Sequence, residues 1–536
     1  MRYIVTSALP YANGLLHLGH AIGAYIPADI YARYRRMKGD RVIFICGTDE
    51  HGTPIAIQAE KEGIPPKKLV DKYHELIKET FRRLGISFDI FSRTTKSHHY
   101  ELSQKFFLKL LENNYIYKKT VKRPYCEKCR RFLPDRYVIG ICPYCKAKDQ
   151  RGDQCEVCGK QLEPNELIEP KCIICGNKPV ERETTHWFFK LSAFSAKLEE
   201  WLNKNKHWPE NVRNFSLGWL REGLRDRSIT RDLEWGVPVP LEEAKGKVLY
   251  VWFDAPIGYL SFLQELVGEE WEKVWNNSRV VHFMGKDNVP FHAIIWPAML
   301  LGYGLKLPWY ISANEYLMLE GRKMSTSRGW VVWLHEILEK FDADQVRFYL
   351  IRINPEQKDA NFSWKEFQSV CNTELIGIIG NFIHRVLVLA YRSLGEVSID
   401  KDEREDCRNV IGKAGELIES FKFKEALKEI INFATEGNRY LNEREPWNMS
   451  REDKMFKDVL SVCCTKVVAI SILLAPFLPF SAQKLWELLG LEGKVHEQGW
   501  DFPNIEKVNI VGEPKPLFRK IDDMEISNEL EKLSEK

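Results

Sequence analysis

The sequence has no long hydrophobic run. Its most apolar stretch, residues 467–480, is broken by Pro476 and Pro479 and falls short of the roughly 20 residues a bilayer span requires. It has no excess of either charge, since 78 basic side chains face 75 acidic ones for a net +3. That balance excludes a histone-like blanket of positive charge but leaves room for a local basic face that meets nucleic acid. The N-terminal MRYIVTSALPYANG has no basic segment leading into an apolar core and resembles a strand entering a turn, so the expected location is the cytoplasm. There is no internal repeat apart from a series of CxxC pairs. The remainder, 44% apolar and 29% charged over 536 residues, is ordinary globular composition, long enough for three or four domains of about 150 residues.

Residues 3–8 form a short apolar strand that runs into a Pro/Asn/Gly turn. A helical pattern follows over 16–37, with Pro27 expected to kink it. A second strand, 42–46, ends in the polar loop 47–52, and helices follow over 66–84 and 98–113. Strand, helix, strand is a βαβ unit and implies an α/β sheet. From 116 to 244 the texture changes, with cysteine, proline and charge dominating through residue 182. Segment 245–312 returns to α/β texture, with strands expected at 248–253 and 280–284. One α/β domain, 1–115 and 245–312, is therefore split by an insertion at 116–244. Residues 313–371 are mixed. Residues 372–512 are helical, with amphipathic stretches at 372–394, 408–420, 423–441 and 454–475. The tail 513–536 is polar, charged and expected to be loosely held.

Eight of the 13 cysteines lie within 126–175 as four pairs: Cys126/Cys129, Cys142/Cys145, Cys155/Cys158 and Cys172/Cys175. In a reducing compartment this pattern means metal rather than disulfides. A CxxC turn directs two thiolates at one cation, and two turns complete a tetrahedral zinc site. Four turns make two closed, structural sites. The compact CPYCKAKDQRGDQCEVCG favours pairing Cys142/Cys145 with Cys155/Cys158, which leaves Cys126/Cys129 with Cys172/Cys175. Sequential pairing is the alternative. The spacing is that of ribbon turns rather than of an iron–sulfur run.

After the first strand comes ALPYANGLLHLGH. His17 and His20 are three apart at a helix start, so they share a side. A strand, a turn and a helix N-terminus make an anion site at the C-terminal edge of a sheet, where two imidazoles can donate to phosphate oxygens as charge develops. Far along the chain, EGRKMSTSRGW is a glycine-flanked loop rich in lysine and hydroxyls, of the kind that folds over a triphosphate. Either motif alone is weak. Together, HLGH and KMSTS resemble the HIGH and KMSKS signatures of class I aminoacyl-tRNA synthetases. ALPYANGLLHLGH, CGTDEHGTP, a cysteine ribbon ending CEVCG, YVWFDAPIGY, GKDNVPFH and a helical segment with EPWNM follow in the order of the methionyl-tRNA synthetases, over nearly the whole chain.

The resemblance implies a class I Rossmann-type α/β domain split by a zinc-ribbon connective insertion (knuckles at 126–175), a KMSKS-loop and stem-contact region at 313–371, and an all-α anticodon-binding bundle. It implies a two-step ligation. The methionine carboxylate attacks the α-phosphorus of Mg-ATP, and the adenylate then acylates the terminal adenosine of tRNA(Met). Catalysis is positioning and charge stabilisation, with no protein nucleophile. His17, His20 and Lys323 are the implied catalytic residues. Gly19, Asp287 and Thr326 join them around ATP, with Asp287 at the ribose. Ala8, Leu9, Tyr11, Trp252, Ala255, Pro256 and Tyr259 form an aromatic-walled pocket suited to a thioether. His292 lies at its far end, and Asp49 receives the ammonium. Thr326 replaces the second KMSKS lysine, so a second positive charge must come from elsewhere, and Arg328 and Lys286 are candidates. Asn381 and Arg385, i and i+4 on one helical face, together with Pro446 and Trp447, are placed by the resemblance at the CAU anticodon, where an indole can stack on an unpaired base.

The isoleucine, valine and leucine enzymes of the same class carry a large editing domain, for which 116–244 is too small. A non-catalytic tRNA-binding relative would not need His17, His20 and Lys323. A zinc-ribbon binding module would leave the α/β domain unexplained. With no further tRNA-binding or dimerisation domain visible after the helices, a monomer is expected, without a membrane partner.

Overall fold

Five short apolar segments pair side by side in one sheet: β1 (Arg2–Ser7), β2 (Arg41–Thr48), β3 (Ile90–Arg93), β4 (Arg279–Gly285) and β5 (Tyr310–Asn314). The computed structural model describes residues 1–153, 155, 157–158, 160, 162–326 and 328–534. Glu156 and Gly159 of CEVCG, Ser327 of the lysine loop and residues 535–536 of the tail lie outside the described residues. The sheet order is β5-β4-β1-β2-β3, parallel throughout. Val5 sits at its centre, opposite Phe44 on one side and Val281 on the other. Helices cover both faces, which is why β1 and β4 are buried along nearly their whole length. The connection after β1 leads towards β2 and that after β4 towards β5. A crevice therefore opens between β1 and β4 at their C-terminal ends, the point where doubly wound sheets bind ligands.

The helix after β1 begins at Leu18–His20, passes through a π-helical turn at Ala21–Tyr25 and continues as Ile26–Met37. The irregularity expected at Pro27 is this turn. Proline has no N–H for the Gly23 carbonyl, and the N–H of Ile26 bonds to Ala21 O instead.

The strand expected at 248–253 is not formed. Only Val248–Leu249 is extended, paired antiparallel with Thr230–Arg231, and Val251–Asp254 begins a helical segment. A short run buried on all sides looks the same in either conformation. Because this hairpin pairs 230–231 with 248–249, it straddles the boundary read at 244. The insertion is an antiparallel sheet built on Ile116–Cys126 and Val180–Phe189, paired along nearly their full length, with the cysteine turns at its far end.

Helices Phe423–Arg444 and Lys454–Leu474 pack against a continuous helix, 364–393; Lys401–Glu419 packs on both of these and Pro479–Leu488 on the second. The region is not purely α, since Glu396–Ser398 and Lys507–Asn509 form a two-stranded ribbon. The 364–393 helix, rather than 467–480, is the segment long and apolar enough to cross a membrane. Its buried stripe of Phe367, Cys371, Leu375, Ile379, Phe382 and Val386 has helical spacing, and Glu374 and Arg385 lie off that stripe. This is the pattern of an amphipathic core helix.

The tail, expected to be loose, is docked over its described residues, 513–534. Ile521 is fully buried and exchanges two backbone–side-chain hydrogen bonds with Asn372, at 2.9 and 3.0 Å. Helix Asp523–Ser534 docks against Trp364–Val370 and buries Ile526 and Leu533. Its two buried positions are seven apart, too narrow a stripe to reveal a partner in a polar sequence.

Arg347 locks the helical region to the sheet domain. Fully buried, it contacts Asp29 at 2.8 Å and donates to the carbonyls of Leu84, Pro476 and Phe477 at 3.3, 3.0 and 2.7 Å.

Candidate functional site

The two signature segments meet at the crevice. Leu18 N–H bonds to Val332 O at 3.2 Å and Leu334 N–H to Leu16 O at 2.8 Å, so HLGH is stitched to the chain just beyond the lysine loop. A Cβ built on Gly19 lies 3.0 Å from the His17 ring and 3.9 Å from the Met324 methyl, so a larger residue there would press on the His17 ring.

His17 and His20 form a reciprocal cap. Gly19 N–H donates to His17 Nδ1 and His17 N–H donates to His20 Nδ1, both at 3.1 Å. The rings lie 3.8 Å apart. Each Nδ1 is thus an acceptor, and each neutral ring carries its hydrogen on Nε2, free to donate. Burial and then the neighbouring His20 hold the His17 pKa well below its ordinary value. His20 reaches solvent at the cleft edge, yet the protein around it pushes it down to about 4.

Lys323 lies on a two-residue strand paired with Leu317–Leu319, its ammonium 4.6 Å from the centre of the Tyr316 ring. Tyr316 also receives Lys286 on its ring at 3.8 Å and donates its hydroxyl to Asp287. Lys286 is already paired with Glu315 at 2.7 Å and Asp359 at 3.0 Å. Arg328 is exposed and donates to Ser325 Oγ at 3.2 Å. Thr326 lies exposed on the same loop.

The aromatic pocket assembles beside this. Reciprocal backbone bonds of 2.9 Å join the loop after β1 to that after β2, Ala12 N–H to Asp49 O and Asp49 N–H to Pro10 O, and set Tyr11 beside Asp49. Trp252 Nε1 donates to the Tyr11 hydroxyl at 2.8 Å, and the Phe291 ring meets Trp252 edge-on. Ala255 and Pro256 form the turn into the helix that carries Tyr259. That helix passes close enough for a Cβ on Gly258 to lie 2.9 Å from Leu9. Ala8 packs at the edge of the same core, its carbonyl accepting from the Tyr25 hydroxyl at 2.9 Å. At the far end, His292 Nδ1 donates to Asn288 O at 3.0 Å, and the Tyr259 hydroxyl donates to Nε2 at 2.8 Å. Burial pushes His292 down to about 4, so at neutral pH this end is uncharged. Burial, then the charge of Asp254, raises the Asp49 carboxyl well above the carboxylate range.

The eight cysteines fall into the nested clusters, Cys126/Cys129/Cys172/Cys175 and Cys142/Cys145/Cys155/Cys158. Sulfur pairs stand at 3.4 and 3.9 Å in the first and at 3.9 and 3.5 Å in the second. A tetrahedral ion with metal–sulfur bonds of about 2.3 Å needs sulfurs about 3.8 Å apart, so both sets fit a metal. The knuckle core includes Ala56 and Ile57, on the helix Thr53–Glu62 that follows the Asp49 loop. Arg131 pairs with Glu60 of that helix at 2.6 Å.

On the helical region, Arg385 donates to Asn442 at 2.8 Å and lies 5.1 Å from the ring of Trp447. Asn381 donates to Asn438 at 3.2 Å. Pro446 starts the short turn that presents Trp447, 46% exposed.

Every site residue read from the sequence thus falls into one of these clusters. Several contributors were missed. His282 interrupts an apolar strand, and that interruption was its signal; it shares a 2.5 Å hydrogen bond with Thr6 and stands behind Tyr259 and His292. Phe291 and Tyr316 gave no signal beyond adjacency to motifs. Asn438 and Asn442 are i, i+4, but their helix face acquires meaning only opposite Asn381 and Arg385. Arg231, paired with Asp135 at 2.8 Å and lying over Tyr250, ties the insertion to the pocket.

Comparison with known proteins agrees with this arrangement. Residues 3–387 match the family of tRNA synthetases class I (M), and residues 400–536 match the anticodon-binding domain of tRNA ligase. The methionine–tRNA ligase of Pyrococcus furiosus is 50% identical across 98% of this chain and 76% of its own length. That of Methanopyrus kandleri is 47% identical across 98% of this chain and 81% of its own. A Mycobacterium tuberculosis methionyl-tRNA synthetase solved with methionyl-adenylate superposes with a TM-score of 0.80 at 28% identity, covering 96% of this chain and 99% of that one.

Proposed function

The chain belongs to the methionyl-tRNA synthetases, and we propose how its residues divide that family's work. It activates L-methionine with ATP to methionyl-adenylate and transfers the methionyl group to tRNA.

The observation that carries the assignment of roles is the reciprocal His17/His20 cap beside the lysine loop. It leaves two Nε2–H donors side by side, over a helix start at the switch point of the sheet. There they stabilise the α-phosphate as charge grows in the transition state. Their lowered pKa values keep them neutral donors at physiological pH. Gly19 permits the approach, Asp287 holds the ribose, and Lys323 leaves Tyr316 to hold the departing pyrophosphate, with Thr326 adding a hydroxyl. Magnesium arrives with ATP. Of the candidates for the second positive charge, Lys286 is occupied by Glu315 and Asp359, which favours Arg328.

Methionine lies with its thioether between Ala8, Leu9, Tyr11, Trp252, Ala255, Pro256 and Tyr259. Its sulfur faces neutral His292 and its ammonium faces Asp49. Neutrality at the far end selects against charged side chains, because an unpaired charge there would have no counter-ion. Asn381, Arg385, Pro446 and Trp447 read the CAU anticodon, the indole stacking on a base. The two cysteine clusters hold zinc, which staples a ribbon with little core of its own. The eight thiols point to a reducing cytoplasm, where the chain works as a monomer.

The test is ATP–pyrophosphate exchange without tRNA, each amino acid offered separately, on the parent and on His20→Asn. Exchange with methionine alone, reduced by about 100-fold or more in the variant, is the expected result. Undiminished exchange in His20→Asn overturns the role given to the cap.

A further inference from the structure

Behind Asp49 lies a second buried carboxylate that the division of roles above does not use. Asp254 is 0% exposed. His51 Nδ1 lies 2.6 Å from its Oδ2, and His99 Nε2 lies 3.4 Å from the same oxygen. The two imidazoles are anchored in turn, His51 to the Tyr100 hydroxyl at 3.0 Å and His99 to Ser261 Oγ at 2.8 Å. The other oxygen, Oδ1, is buried with no hydrogen-bond partner among the described residues. A buried acceptor left without a donor costs about 1–3 kcal/mol, more when charged, so a donor brought to this oxygen would be stabilised there.

His51 links this carboxylate to Asp49. Its backbone N–H lies 3.4 Å from Asp49 Oδ1, and its ring holds Asp254. The two carboxylates therefore stand on either side of one residue, His51. Their charge states differ. Burial and the neighbouring Asp254 drive Asp49 towards the neutral form. In Asp254, against the pull of burial, His51 and then His99 hold the carboxyl below the carboxylate range. Of the two, Asp254 is the more readily ionised. An incoming ammonium brings three donors and a full positive charge, more than Asp49 alone can satisfy.

We propose that Asp254 supplies the second negative charge of the ammonium site and that its unpaired Oδ1 is an acceptor for that ammonium, with His51 holding the two carboxylates in register. The inference rests on the reading that Asp49 faces the methionine ammonium. It makes Asp254 a determinant of selectivity for α-amino over α-hydroxy acids of the same shape.

The test compares two ligands on the full chain by equilibrium binding: L-methionine and its 2-hydroxy analogue, which keeps the carboxylate and thioether but has a hydroxyl in place of the ammonium. In Asp254→Asn, methionine affinity is expected to fall about tenfold or more, while affinity for the hydroxy analogue stays within about twofold. An equal loss for both ligands would show a merely structural role and overturn the proposal, as would no loss for either. Should Asp254→Asn not fold, the smaller neutral Asp254→Ser carries the same comparison. Asp49→Asn tests the underlying reading separately. If it shows no methionine-specific loss, the placement of the ammonium is wrong whatever Asp254→Asn does.

Discussion

Arg347→Met tests what holds the helical region against the nucleotide-binding sheet. The guanidinium is wholly buried and meets four groups: the Asp29 carboxylate and the carbonyls of Leu84, Pro476 and Phe477. Asp29, equally buried, also receives Arg33 at 2.9 Å and two donors from Ser87 at 2.8 and 2.6 Å. Burial pulls its pKa up, but Arg33, Arg347 and Ser87 together hold it below the ordinary carboxylate value. Methionine fills the space but leaves three carbonyls without donors and Asp29 with one cation fewer. Breaking a buried pair from one side costs about 3–5 kcal/mol, and the retained Arg33 and Ser87 place the carboxylate's share at the low end. At about 2.1 cal/mol/K per residue of unfolding entropy, that loss lowers Tm by about 3–4 °C for a chain of 536 residues. Asp29→Leu/Arg347→Met removes both charges and should lose less than the sum of the single changes, by about 1–3 kcal/mol. Thermal and urea unfolding of the four proteins measures this. Additive losses, or a single-variant loss below about 1 kcal/mol, would refute the buried-pair reasoning.

Trp447→Ala should lower kcat/KM for tRNA charging by about 5–150-fold, the worth of one base stack, and leave methionine-dependent pyrophosphate exchange unchanged; equal loss of both would show that the two sites are not separate. Cys142→Ser and Cys126→Ser should each remove about one zinc ion per chain by elemental analysis. Both clusters share a core with Ala56 and Ile57, on the helix after the Asp49 loop, so both variants should also impair exchange; unchanged zinc would refute the metal assignment. His292 has a folded pKa of about 4 against about 6.5 unfolded. The unfolded chain therefore takes up its proton first, and the stability held above about pH 6.5 is lost as pH falls towards about 4. That amounts to about 3 kcal/mol from this group. Urea midpoints at neutral and acid pH should show a shallower loss in His292→Gln, and an unchanged slope would assign the acid sensitivity elsewhere.

What was legible in the chain depended on how locally the information is stored. The CxxC turns carry their chemistry in four residues each, and the compact Cys142–Cys158 spacing was enough to anticipate nesting. The strands at 3–8, 42–46 and 280–284 were legible because a parallel sheet buries both faces and leaves apolar runs. The 248–253 segment has the same run for a different reason, since it is buried among aromatic neighbours while turning into a helix. The tail helix was illegible because its anchors, Ile521 and Ile526, are isolated apolar residues in polar surroundings. HLGH and KMSTS were legible as motifs, and the resemblance placed both around ATP, but the contact that brings them together was not legible. That contact runs through backbone bonds from 16–18 to 332–334, which leave no mark on side-chain identity. The same holds for Asn438 and Asn442, and for Asp254, which in sequence is one acid in an apolar run.

The two halves of the sheet use one device to build the pocket, and it explains why the site departs from regular structure where it does. After β1 comes a loop, then the π-helical turn Ala21–Tyr25 and Pro27. After β4 comes a second loop, then the π-helical turn Phe291–Ile295 and Pro297. In each, the residue before the proline closes a bond five residues back, Ile26 to Ala21 and Trp296 to Phe291, because the proline has no N–H to give four residues back. A π turn holds one more residue than an α turn, so side chains beyond it are rotated relative to those before it. Each turn brings a polar side chain back to the pocket, with Tyr25 bonding to the carbonyl of Ala8 and His292 to that of Asn288 and to Tyr259. A regular helix at either place would be the more favourable local choice but would aim those side chains elsewhere. The prolines enforce the less favourable form, and the sheet that β1 and β4 share sets the two turns against one another. The pocket's frame is thus set by backbone, and its aromatic walls are mounted on that frame, as a site that selects on the width of an unbranched, uncharged side chain requires.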